Sequence, residues 1–127
     1  MRLLFVTHRH FYHSGGLAPL PTALAFLPEA SLSVHATPGT LEALRELLSL
    51  TMPGVERFAW RTLRWHALTL GEPVTAGDAE IIPFEVGHSL ECVGFRVTQG
   101  GSTMVHAADT RPCPNVLELA VLGYLYV

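Results

Sequence analysis

The chain has 127 residues and a mass of 13.8 kDa, the length of about one domain. Apolar residues make up 49% and charged residues 15%, which excludes a disordered chain because a core can be built. Arg, His, Pro or Glu breaks every apolar run before the ~18 residues a membrane span needs, so a spanning helix is excluded as well. The formal net charge is −3 and all 8 basic residues are arginine, so the basic excess needed to track phosphates is missing. General nucleic-acid binding is therefore disfavoured. The apolar start, Met1–Val6, is too short for a signal-peptide core and runs straight into His8-Arg9-His10, so a cytoplasmic chain is expected. Two cysteines, Cys92 and Cys113, are too few and too separated for a disulfide scaffold or a cysteine zinc site; both are expected as buried thiols.

In chain order, Arg2–Val6 predicts a buried strand, and residues 7–16 a polar loop ending in glycines. Residues 17–27 suit a helix that Pro19 and Pro21 confine to a short or late one. Residues 31–36 predict a second strand. After Pro38-Gly39, Thr40 can cap a helix over residues 41–50, with Glu42 in its first turn and Leu41, Leu44, Leu47 and Leu48 on one face. Met52-Pro53-Gly54 ends that helix, and residues 55–65 read equally as strand or helix. Strands follow over 65–70, 79–86, 92–98 and 102–107, the last two joined by a hairpin turn at Gln99-Gly100-Gly101. Residues 115–120 predict a brief helix and 121–127 an apolar strand. The fold class is α/β or layered α+β, with helices packed on sheets, in one domain over residues 1–127.

The chemistry concentrates in Thr7-His8-Arg9-His10-Phe11-Tyr12-His13-Ser14-Gly15-Gly16, directly after a strand. In extended chain, residues two apart share a face, so His8 and His10 can converge on one ion. The turn toward the glycines can swing His13 to the same or a neighbouring cavity. Neutral imidazole is a preferred zinc ligand.

This segment resembles the His-x-His-x-Asp-His signature of the metallo-β-lactamase-fold hydrolases. Val86-Gly87-His88-Ser89, with Val93-Gly94-Phe95-Arg96-Val97 after it, is similar to the ribonuclease Z-like branch, as is Ala107-Ala108-Asp109-Thr110-Arg111-Pro112-Cys113. The resemblance implies a partial metallo-β-lactamase-type β-sandwich with flanking helices, without the family's leading strands and C-terminal portion. It implies that His8, His10 and His88 hold a first metal, that Asp109 bridges two metals and that His13 belongs to the second. Zinc is the implied cofactor, and metal-bound water the nucleophile on a phosphodiester, with Asp109 in the catalytic centre.

The departures matter as much. Tyr12 stands where the family has an aspartate ligand, and a phenol of pKa about 10 is a poor ligand unless a metal deprotonates it. The family's last histidine ligand has no counterpart, so one well-formed metal site and a weak second are expected. His88 and Asp109 are separated by 21 in sequence, leaving no room for the transfer-RNA-gripping arm; small phosphodiesters are the implied substrates. Arg111 either pairs with Asp109, the favoured reading, or contacts a substrate phosphate.

His35, His66 and His106 read as satisfied packing histidines. Arg57, Arg61 and Arg64, interleaved with Phe58, Trp60 and Trp65, either form a solvated face or clamp a nucleotide. The apolar end, residues 122–127, calls for a partner surface, most simply a second copy in a homo-oligomer. A metal-dependent hydrolase is thus weighed against a non-catalytic metal-binding or oligomer-forming remnant of the same fold, and a nucleotide-binding module comes third.

Overall fold

Apolar segments that alternate with helical stretches make parallel pairing the natural arrangement in the first half of the chain. The computed structural model describes residues 2–27, 29–54, 63–121 and 124–126. They divide into two units, residues 1–67 and 68–127.

In the first unit β1 (Arg2–Phe5), β2 (Leu32–Ala36) and β3 (Leu63–Ala67) form a parallel sheet in that order. Period-2 alternation sends Leu4, Val34 and Trp65 to one face, where they pack with Leu24 of α2 (Leu20–Ala25) and with Leu41, Leu44 and Leu48 of α3 (Pro38–Thr51). Phe5, His35 and His66 are register partners and make one row on the other face. The leucine stripe of α3 is as predicted, with Leu47 half-buried at its margin. Its start is not. Thr37 is the N-cap and Pro38 takes the first helical position, where a missing N–H costs no bond. Thr40 is buried inside the helix beside the Thr37 hydroxyl at 3.1 Å, and Glu42 falls outside the first turn.

The second unit is a five-stranded sheet in the order β4 (Val74–Ala76), β5 (Ala79–Glu85), β6 (Val93–Gln99), β7 (Ser102–His106) and β8 (Tyr124–Tyr126). All its pairs are antiparallel except β7 with β8. Helix α4 (Pro114–Ala120) contributes Val116 to a core of Phe84, Val86, Cys92, Val105, Ala107 and Ala108. The β6–β7 hairpin closes through Gly100 and Gly101 at φ +56° and +80°, a pair of left-handed residues that matches the twist of the strands. Gly94 lies opposite Phe84, and a Cβ there would sit 2.4 Å from the Phe84 ring and 2.7 Å from the His106 carbonyl. Only glycine lets that ring cross the sheet.

Three expectations are corrected. The strand predicted over 65–70 is β3, displaced toward the N-terminus by its register with β2. Strand β4 was not predicted, being three residues set between Gly71 and Gly77 turns. Residues 7–16 are not all loop, because a one-turn helix α1 (Phe11–Ser14) and a 3-10 turn (Gly15–Leu17) form there. The ambiguous residues 55–62, and 122, 123 and 127 of the apolar end, lie outside the described residues. Among the described residues no helix is long and apolar enough to cross a membrane. Sheets with flanking helices give the mixed α/β class that the sequence predicts.

Candidate metal centre

In the first unit the histidine loop leaves the carboxyl end of parallel strand β1, the end at which open α/β sheets bind ligands. The loop is tied by its own polar groups. The His10 carbonyl accepts the amides of His13 at 2.9 Å and Ser14 at 3.0 Å, and the Ser14 hydroxyl lies 3.0 Å from it and 3.2 Å from the Arg9 carbonyl. Ser14 is buried, so these bonds are sheltered from water. The result turns the chain sharply enough to bring its rings together, edge-on for His8 with His10 and tilted for His8 with His13. His8 is fully buried, its ring centroid 4.9 Å from that of His10 and 4.4 Å from that of exposed His13.

Within this cluster His8 Nε2 and His10 Nδ1 are 3.0 Å apart. The other nitrogen of His8, Nδ1, lies 3.0 Å from the Thr7 hydroxyl, which sets the ring's orientation. Tyr12 stacks on His10 with centroids 5.3 Å apart and planes at 22°, and its hydroxyl is 3.1 Å from His10 Nδ1. Sequence spacing identifies His8 and His10 as a pair. Thr7 and Ser14 escape it, since their roles depend on side-chain direction and carry no periodic signal.

In the second unit His88 follows β5 and Asp109 follows β7. Their two segments are clipped together: Gly87 and Arg111 form an antiparallel bridge with the Arg111 amide 2.8 Å from the Gly87 carbonyl. The Gly87 amide donates to the Thr110 hydroxyl at 3.1 Å, and that hydroxyl donates to the Arg111 carbonyl at 2.7 Å. A Cβ on Gly87 would lie 2.9 Å from Arg111 Cγ, so glycine is needed for this approach. Ala108 adopts φ +56°, a left-handed conformation unusual for a residue with a Cβ, and so turns the chain just before Asp109. His88, Ser89, Asp109, Thr110 and Arg111 line a cleft of about 570 Å³. The Arg111 side chain is exposed on that cleft, while Arg96 lies 3.9 Å from Glu80 on the neighbouring strand.

Burial, with the nearby Asp109 charge, pushes the Cys92 thiol up to about 11, as fits a buried thiol. Cys113 corrects the expectation of two buried thiols. It is half-buried, and its pKa is lowered chiefly by the Val116 amide and further by the Thr110 hydroxyl and neighbouring amides. His35 is buried with Nε2 lacking a hydrogen-bond partner, sandwiched between Phe5 (4.8 Å) and His66 (4.6 Å). Its pKa is lowered by burial and then by the His66 charge. His35 therefore packs without being satisfied, His66 is exposed, and His106 is half-buried. Of the arginine–aromatic segment, Arg64 is exposed and Trp65 packs on the core; Arg57, Phe58, Trp60 and Arg61 lie outside the described residues.

A family model described as "Beta-lactamase superfamily domain" matches residues 1–123. Over 51 residues the chain is 41% identical to protein ML1173 of Mycobacterium leprae (strain TN), a match covering 39% of this chain and 18% of that protein. Over 56 residues it is 38% identical to protein Rv1339 of Mycobacterium tuberculosis (strain ATCC 25618 / H37Rv), covering 43% and 20%. The fold is similar to that of the metallo-beta-lactamase fold protein YhfI from Bacillus subtilis, with TM-score 0.76 and 22% identity over 94% of this chain and 46% of that one. It is similar also to Zn(2+)-bound PqqB from Methylobacterium extorquens, with TM-score 0.72 and 15% identity over 98% and 44%. The chain thus spans under half the length of these two solved proteins, and its matches span about a fifth of the curated relatives. With the family model matched over residues 1–123 and this fold beneath it, the chain belongs to the beta-lactamase superfamily.

Proposed function

We propose that this chain belongs to a metal-dependent hydrolase, with zinc as its ion and a small phosphodiester as its substrate, and that His8, His10, His88 and Asp109 supply the ligands. The observation that carries the reading is the 3.0 Å separation of His8 Nε2 and His10 Nδ1. At zinc–nitrogen distances of about 2.0–2.1 Å, two ligands of a tetrahedral ion sit roughly 3.3 Å apart, so this pair fits a shared cation with little movement. Imidazole and carboxylate form the donor set that borderline divalent ions prefer.

When bound, such an ion makes water acidic enough to act as a nucleophile near neutral pH and offsets phosphodiester charge. The chain's own residues do the rest. The Thr7 hydroxyl, 3.0 Å from His8 Nδ1, would accept from Nδ1–H in the metal-bound tautomer and so leave the Nε2 lone pair to the ion. The clip between Gly87 and Arg111 holds His88 and Asp109 on one cleft. Arg111, exposed on that cleft, offers its guanidinium fork to a phosphate oxygen. The resemblance of the His88 and Asp109 segments to the ribonuclease Z-like branch, at a sequence separation of only 21, supports an arm-less phosphodiesterase.

The second reading, a metal-binding remnant without turnover, is favoured by Tyr12 in place of an aspartate. Metal analysis of the full chain, with turnover of an aryl phosphodiester by wild type, His10→Ala and Asp109→Ala, separates the readings. About one zinc per chain and turnover abolished in both variants supports the hydrolase. Bound zinc with equally slow wild type and Asp109→Ala supports the remnant, and absence of zinc overturns both.

A further inference from the structure

We propose that the Tyr12 phenolic oxygen is a ligand of the same ion as His8 and His10; this rests on the metal-binding reading above. His10 Nδ1 has Tyr12 Oη at 3.1 Å and His8 Nε2 at 3.0 Å. A neutral imidazole nitrogen offers either one proton or one lone pair, and neither serves two such neighbours as well as a shared cation does. Both His8 Nε2 and Tyr12 Oη thus lie from His10 Nδ1 at close to the spacing of neighbouring ligands at zinc, roughly 3.3 Å.

Burial does not hold the phenol there, because Tyr12 is 73% exposed. Its ring stacks on His10 and meets His13 at a tilt, with centroids 4.6 Å apart. With these contacts the hydroxyl stands 3.1 Å from His10 Nδ1. Phenolate oxygen is a hard donor and complements the two borderline nitrogens. On coordination the O–H bond breaks and the proton passes to solvent, as for any protonated ligand.

The test is cobalt(II) titration of the full chain and of Tyr12→Phe, which keeps the stacking ring and deletes only the oxygen, with His10→Ala as reference. Cobalt's visible d–d bands report the ligand set. The expected result is a changed band pattern in Tyr12→Phe together with a loss of about tenfold or more in affinity. Weaker binding with an unchanged pattern makes Tyr12 a positioning residue and overturns the proposal. Unchanged affinity and spectrum overturn it too, while leaving the His8–His10 reading intact. Failure of wild type to bind cobalt removes both. A circular-dichroism melt of Tyr12→Phe is expected to overlay that of wild type.

Discussion

The Thr7 hydroxyl lies 3.0 Å from Nδ1 of His8, on the far side of the ring from the nitrogen that faces His10. A hydroxyl in that place holds the ring and can accept from Nδ1–H, the tautomer that leaves the Nε2 lone pair to an ion. Thr7→Val keeps the shape and removes the partner. Zinc affinity by competition with a chelator dye is expected to fall about 10–100-fold, the usual cost of losing an outer-shell partner. Urea midpoints of the metal-free proteins are expected to move far less.

Among the described glycines, Gly94 leaves the least room for a Cβ. Gly94→Ala sets a methyl against the Phe84 ring and the His106 carbonyl, and backbone cannot give way as a flexible side chain can. A loss of about 1–3 kcal/mol is expected from urea unfolding. The double variant with Phe84→Leu, which shortens the obstructing ring, is expected to recover part of it.

His35 makes stability acid-sensitive. Its folded pKa lies below the ordinary value of 6.5, through burial first and the His66 charge second. Between those two values the unfolded chain binds more protons than the folded one. Stability is therefore full above 6.5 and is lost as pH falls toward the depressed folded value. Urea midpoints measured across that window are expected to slope upward with pH. His35→Phe, which retains a stacking ring between Phe5 and His66, is expected to flatten the slope.

The two thiols are expected to react in a fixed order. Cys113, half-buried and acid-shifted, alkylates first near neutral pH; Cys92, buried and raised to about 11, follows only on unfolding. Peptide mapping after brief iodoacetamide treatment reads the order directly. Equal labelling of both in the native protein contradicts the assignment.

Much of this was legible before any coordinates. Leu41, Leu44 and Leu48 announce the α3 core face because helical periodicity is a local property, and the spacing of His8 and His10 announces a pair because strand periodicity is too. What escaped depends on partners distant in sequence or on side-chain direction. The bounds of β3 are set by pairing with Leu32–Ala36, some thirty positions away. The α3 start passed to Thr37 because Pro38 has its φ already set for a helix and loses nothing at its first position. Ala108 gives no hint in the sequence that it adopts a left-handed backbone, since that conformation is ordinarily glycine's. Thr7 and Thr110 look like any loop threonine until their hydroxyls are seen beside His8 Nδ1 and the Gly87 amide.

The bonds that Ser14 and the His10 carbonyl make all close within residues 9–14. A segment that carries its own scaffolding is portable. Grafted behind the first strand of an unrelated parallel-sheet host, residues 7–16 should bring their imidazole geometry with them, making this loop a ready donor cassette for protein engineering.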